Sequence, residues 1–356
     1  MSAQFTVCSK QHHRAATFAR RVHGFTLIEL MVAMLLGLIV IGGVISVFLA
    51  GQQTYRTNEA LGDVEEGSRT AFELLARDIR NAGLTGCDNT SGRVANTLND
   101  TSLWYANWSD ALYGYDDASQ DPAINIITAN PGVPVAKTSS VHIISTASSD
   151  VTVKFTPGSG SSSGGNAASF MINAPTAELT AGDLIMVCDF DHATILQITN
   201  YSTNKSSTVV HNDGTGTPGN CSKGLGYPTS CSNSNGNHYD FPSNSRIAVL
   251  TSSVWYIGTN PLNGKSLYRV TVGHGSNGTV SAPQEMVRNV TGMKILYLQP
   301  GTTQFDLAAK MTNWATVSAA QITLNLQSTN QRASSTSSQP LIRTFTSTTT
   351  ARNRVQ

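Results

Sequence analysis

Two places in this 356-residue chain hold residue types that could do chemistry. In Gly24-Phe25-Thr26-Leu27-Ile28-Glu29 a single carboxylate lies five residues past a glycine, and no further charge occurs until Arg56. A basic leader, a glycine, one acid and then an apolar run describe a segment that is cut, inserted into a bilayer and packed against copies of its own kind. The second place is Cys188-Asp189-Phe190-Asp191-His192, whose side chains are those of metal sites and acid–base pairs. Strand alternation would put Asp189 and Asp191 on one face and His192 on the other. Two carboxylates in a β-turn are usually solvated turn formers. No G-x-S-x-G, P-loop, H-E-x-x-H or EF-hand spacing occurs, so no catalytic residue, metal or cofactor is expected.

Cysteine usage points to an oxidising compartment. Cys8 lies in the leader and leaves Cys87, Cys188, Cys221 and Cys231, an even number with three possible connectivities. Cys221 and Cys231 are neighbours in a loop-rich region, which makes 221–231 with 87–188 the first choice. A bridge closing about ten residues contributes about 3 kcal/mol in the chain-entropy model. Zinc is the competing reading, but there is no C-x-x-C and no paired Cys/His spacing.

Charged residues make up only 13% of the chain, about half the usual share. Residues 1–24 hold Lys10, Arg14, Arg20 and Arg21 and no acid, a charge of +4, which leaves −3 on residues 25–356. That balance argues against a nucleic-acid binder. Leu30–Ala50 is 21 residues without charge, and at 1.5 Å per residue it spans roughly 32 Å, enough for a hydrocarbon core. The bases upstream keep the N-terminus in the cytoplasm and send the rest across. The run is too long for an ordinary secretory signal. Glu29 at its edge costs several kcal/mol unless something pairs with it.

These residues must be positioned by the elements that follow. Leu61, Val64, Ser68, Phe72, Leu75, Ile79 and Ala82 keep a 3–4 spacing, so one helix is expected from about Phe25 to Ala82, with Gly83 as its stop. Six glycines, at 37, 42, 43, 51, 62 and 67, would interrupt it. Those at 37, 42 and 43 suit close helix packing. Beyond Cys87, β signals recur at 141–145, 151–155, 184–189, 193–199, 253–257, 267–272, 293–298 and 320–327. Antiparallel sheet with one wet face fits them, and the fold class is α+β. Only Leu307–Trp314 looks like a further, short helix. Residues 157–167 read as a flexible tip, residues 203–245 as a polar, glycine-rich loop region, and the aromatics of 86–122 as core and packing.

The string Gly24-Phe25-Thr26-Leu27-Ile28-Glu29-Leu30-Met31-Val32 closely resembles the class III signal of type IV prepilins and pseudopilins. In that family a membrane peptidase cuts after the glycine, here between Gly24 and Phe25, and methylates the new N-terminal residue, here Phe25. The absent side chain suits a protease's approach to the backbone. The new amine is a cation at a helix N-terminus, and Glu29, one turn on, can pair with it in an adjacent subunit. Arg77-Asp78-Ile79-Arg80-Asn81-Ala82-Gly83, Gly182–Asp189 with Ala193–Thr199, and Ser253-Val254-Trp255-Tyr256-Ile257-Gly258 with Leu267-Tyr268-Arg269 look like PilW-type minor pilins. The chain departs from them in residues 200–245, and its 24-residue leader is long for the family.

What the resemblance implies is a pilin-like fold, a long N-terminal helix packed on a mostly antiparallel sheet domain with long loops. It divides the chain into a leader (1–24) that is removed, a membrane and amphipathic helix (25–82) and a β-rich periplasmic or extracellular domain (83–356). It also implies a non-enzymatic minor pilin that primes assembly of a type IV pilus and occupies its tip. The expected partners are other major and minor pilins, the prepilin peptidase, the inner-membrane assembly platform and the membrane itself, with the protein passing from inner membrane to pilus. A larger type II secretion pseudopilin is the alternative within the class. An adhesin delivered by the same leader, binding through 86–122 and 203–245, is the alternative outside it.

Overall fold

The computed structural model describes residues 24–86, 93–147, 149–156, 168–214, 216–334 and 339–351. The leader up to residue 23, Cys8, Cys87 and the expected tip at 157–167 lie outside them. Two compact units result, residues 1–55 and 56–356.

Helix α1, Leu27–Arg80, runs unbroken through all six glycines. Its close comes at a turn over Asn81–Gly83, two residues earlier than the spacing predicts; Gly83 adopts φ +73°, and its amide donates to Ile144 O (2.9 Å). Within residues 1–55, every large apolar side chain from Leu27 to Leu49 is at least 51% exposed. That stretch is long and apolar enough to cross a membrane.

Residues 56–356 form the sheet domain. Its strands are β1 (Val94–Asn96), β2 (Leu112–Tyr115), β3 (Ser140–Ala147), β4 (Val153–Phe155), β5 (Ser169–Ile172), β6 (Leu184–Cys188) and β7 (Ala193–Gln197). There follow β8 (Thr208–Val210), β9 (Arg246–Thr259), β10 (Lys265–Val272), β11 (Gln284–Arg288), β12 (Val290–Leu298), β13 (Ala319–Gln327) and β14 (Ile342–Thr350). The large sheet runs β1-β7-β6-β9-β10-β11, with β3 also on β9 and β2 on β3. All its pairings are antiparallel except β1 with β7. Strand β9 is the spine, long enough at 14 residues to pair with β6, β3 and β10 along its length. Two three-stranded sheets, β12-β13-β14 and β4-β5-β8, complete the domain.

The helix and the two larger sheets meet in one core. Val64, Ala71, Leu75 and Ile79 of α1 pack with Trp255 and Ile257 of β9, Ile295 of β12 and Ile322, Leu324 and Leu326 of β13. Gly67 permits this approach, because a Cβ there would stand 3.2 Å from Leu326 Cδ2. A second core, holding Phe170, Ile185, Leu196 and Val209, joins β6 and β7 to the small sheet. His211, just past β8, is 1% exposed beside the Phe170 ring, and among the described residues neither ring nitrogen has a hydrogen-bond partner. Burial therefore drops its pKa to about 4.

All eight expected strands are present, and six more, β1, β2, β5, β8, β11 and β14, were not read from the chain. The expected helix at Leu307–Trp314 is corrected to two 3₁₀ turns, Ala308–Lys310 and Trp314–Thr316. Asp116 accepts hydrogen bonds from the amides of Ala308 and Ala309 (3.0 Å each), pinning the first turn to the loop after β2. Met311 then turns extended (ψ 120°) and prevents a second turn. Of the aromatics in 86–122, Tyr105 is buried, while half-buried Tyr113 packs its ring, tilted by 37°, against Trp314 at 4.6 Å.

Candidate assembly site

The start of α1 is built around Thr26 and Glu29. Thr26 donates to Glu29 Oε2 from its amide (3.2 Å) and its hydroxyl (3.1 Å), and its Oγ1 accepts from the Glu29 amide (3.2 Å). This is a capping box, in which the side chains at the N-cap and three residues on satisfy each other's backbone. The carboxylate is thus held at the positive end of the helix dipole, one turn from the expected cleavage point. Oε2 takes both Thr26 bonds. Around Gly24 a Cβ would meet nothing within 4 Å, and Phe25 is 85% exposed. The T-x-x-E spacing was legible in the chain, but the reading of Glu29 as an intersubunit group passed over it.

At the other end of α1 the structure joins strings that lie far apart in sequence. The indole Nε1 of Trp255 donates to Asp78 Oδ2 (2.9 Å). Arg269 of β10 completes the group, its Nε 3.7 Å from the same oxygen and its guanidinium carbon 5.5 Å from the Trp255 ring centroid. Asp78, Trp255 and Arg269 come from the Arg77–Gly83, Ser253–Gly258 and Leu267–Arg269 strings. Sequence reading did not join them. The available signal was an acid beside Ile79 on an otherwise apolar helix face, together with a tryptophan whose N–H needs an acceptor when buried.

In the Cys188–His192 cluster the expected alternation is corrected, while the β-turn read from its two carboxylates is present. Strand β6 stops at Cys188, so alternation ends there, and Asp189 Oδ1 accepts from the amides of Asp191 (2.8 Å) and His192 (3.0 Å) in a tight turn. His192 faces its neighbour instead of opposing it, with Nδ1 3.1 Å from Asp191 Oδ2 and Nε2 3.2 Å from Leu225 O. The Tyr239 hydroxyl donates to Asp189 Oδ2 (2.6 Å), and burial and that carboxylate push the phenol pKa upward. Arg93 pairs with Asp191 at 3.1 Å. These bonds make the turn a structural knot. Among the described residues no three His, Cys, Asp or Glu side chains converge as a metal would require.

Cys221 and Cys231 form a disulfide with Cα atoms 5.2 Å apart. The loop it closes docks on the same turn, where Leu225 O also accepts from Thr194 Oγ1 (2.5 Å). Cys188 is itself disulfide-bonded, while Cys87, its expected partner, lies outside the described residues.

Residues 19–45 match the family model of the prokaryotic N-terminal methylation motif, and residues 254–355 that of the type IV pilus-assembly protein W. The two matches are those of a PilW-type type IV pilin. The second begins at Val254 on β9 and runs through β14, so it contains Trp255 and Arg269. Comparison with curated proteins and with solved structures gave no match. The matches support a type IV pilus-assembly pilin, whose apolar helix and prepilin-like motif suggest membrane anchoring. A pilin interacts with other pilus components, and the family is generally non-enzymatic.

Proposed function

We propose that this chain is a minor pilin that primes assembly of a type IV pilus and resides at its tip. The observation that carries this reading is an apolar helix bare from Leu27 to Leu49, with one capped carboxylate at its start and a freely accessible Gly24–Phe25 bond before it. Residues 1–24 are removed by the prepilin peptidase and Phe25 is methylated, leaving helix 25–82 and domain 83–356. Before assembly the helix spans the inner membrane with its N-terminus in the cytoplasm and the domain in the periplasm. At the assembly platform, segment 25–50 exchanges lipid for the helices of other major and minor pilins. Glu29 sets the register: Oε2 stays with Thr26 and Oε1 accepts the amine of a neighbour's Phe25, which offsets the cost of a carboxylate at the membrane edge. A bridge between Cys87 and Cys188 ties the chain just past α1 to the end of β6.

The test is deletion of the gene with pili counted by electron microscopy, together with intact mass of the native protein. Pilus number should fall and return on complementation, and the mature chain should begin at N-methylated Phe25. Unchanged piliation, or a native product that keeps Met1, would overturn the reading. In a Gly24→Val variant the chain should stay about 24 residues too heavy, because a branched side chain obstructs the peptidase.

A further inference from the structure

A cleft of about 460 Å³ opens on the large sheet where β10 ends. Register sets its floor. Arg269 lies opposite Trp255 and Thr271 opposite Ser253, so Arg269 and Thr271 share the face that packs on α1. Thr251, two residues before Ser253 on β9, is on that face as well. The wall is the loop after β10, which carries His274, Ser276, Thr279 and Ser281. Buried Asp183 clamps this loop, with Oδ2 2.8 Å from His274 Nδ1 and Oδ1 accepting from the Gly275 amide (2.6 Å). The carboxylate accepts there, so Nδ1 carries a proton and Nε2 is the nitrogen left for a ligand. At the loop's far end Ser281 Oγ accepts from the Thr271 amide (2.9 Å).

The fold leaves bonding capacity unused in this cleft. The Arg269 side chain is only 21% exposed, yet its guanidinium makes no hydrogen bond among the described residues, and its Nε–H is buried without an acceptor. Asp78 stands 3.7 Å away, with its Oδ2 already taken by the Trp255 indole. A desolvated guanidinium with idle donors is costly, and a planar anion laid against its fork relieves that cost. The hydroxyls of Thr251 and Thr279 also lack a partner among the described residues.

The lining selects the ligand. Among the described residues it holds one guanidinium, one imidazole, five hydroxyls and no acid, and its one apolar side chain is Val280. No indole, phenol or phenyl ring lines it to stack a base, and no apolar wall could take an acyl chain. With Asp78 behind Arg269 the net positive charge is small, which suits a monoanion better than a phosphate dianion. Hydroxyls around a single guanidinium match a sugar that carries one carboxylate. We infer that the cleft binds a carboxylated sugar of the uronic-acid kind. Its carboxylate meets the Nη groups of Arg269, and its hydroxyls meet His274 Nε2, Thr251 and Thr279. This rests on the cleft alone and stands apart from the pilus reading.

The test is saturation-transfer NMR on the full chain in micelles of octaethylene glycol monododecyl ether, which present no sugar headgroup. The probes are methyl β-D-glucuronoside and methyl β-D-glucoside, which differ only in a carboxylate at one carbon. The glucuronoside should bind about tenfold more tightly, the gain of one bidentate Arg–carboxylate pair. Thr279→Trp fills the cleft from an exposed loop position, so melting should be preserved while transfer is lost. Arg269→Lys keeps the charge beside Asp78 but loses the fork, and should erase the preference for the carboxylate. Should that variant misfold, His274→Asn, whose amide can still donate to Asp183, should weaken both glycosides about fivefold. Equal binding of the two glycosides, undiminished transfer to folded Thr279→Trp, or inorganic phosphate displacing the glucuronoside more effectively than free glucuronate does would each overturn the proposal.

Discussion

From Leu27 to Leu49 the apolar side chains of α1 face outward on every side, whereas from Ala60 to Ile79 they form a stripe buried against two sheets. The second stretch finds its solvent inside the chain, where Leu75 and Ile79 are fully buried and Asp78 is bonded to Trp255. The first finds none among the described residues. Its apolar surface suits the membrane anchoring that the prepilin-like motif suggests, and its one charged group is capped internally by Thr26. One helix thus serves two environments, and the boundary is visible as a change from all-round to one-sided hydrophobicity.

Several substitutions would break or sharpen that contrast. Glu29→Ala should leave cleavage intact but lower incorporation into sheared pili about tenfold or more, read as the ratio of pilus to membrane protein on immunoblots. A variant that enters pili normally would remove the distinction between a group made for a neighbour and groups made for this fold. Leu75→Ala should cost the sheet domain about 2–5 kcal/mol in urea unfolding followed by tryptophan fluorescence. Leu38→Ala, its counterpart on the bare stretch, should leave that midpoint where it was.

Acid should also separate the two regions. His211 titrates near 4 when folded and near 6.5 when unfolded, so its contribution is complete above pH 6.5 and is lost as pH falls toward 4. A gap of that size is worth about 3 kcal/mol, and His211→Phe should flatten the stability profile over this window. Thr26→Val has the smallest expected effect. It should weaken only the first turn, by about 1 kcal/mol, seen as faster amide exchange at residues 27–30 with the sheet domain unmoved.

The helix and the longer strands were legible because their patterns are local. Ile322, Leu324 and Leu326 alternate on β13, and Val64, Leu75 and Ile79 keep the helical period. What escaped depends on partners distant in sequence. β14 reads as a polar threonine-rich tail until β13 supplies its ladder, and β1, β5 and β8 are three or four residues long. Leu307–Trp314 has helical composition, yet Asp116 fixes its first amides in a tighter turn. Cys221–Cys231 could be read from proximity in the chain. The Asp189 turn was legible in its paired carboxylates, but alternation was extended one residue beyond the strand that justified it. Glu29 stood out through its charge and Gly24 and Phe25 through the likeness of their string to prepilin signals, whereas the Asp78–Trp255 bond required the fold.

That bond has a mechanical consequence. A pull along the last turns of α1 loads the sheet domain at Trp255, which lies on its longest strand between β3 and β10, so shear passes to two neighbouring strands at once. The helix is riveted to the stiffest plank of the domain, and traction on it moves the whole domain before it peels any edge.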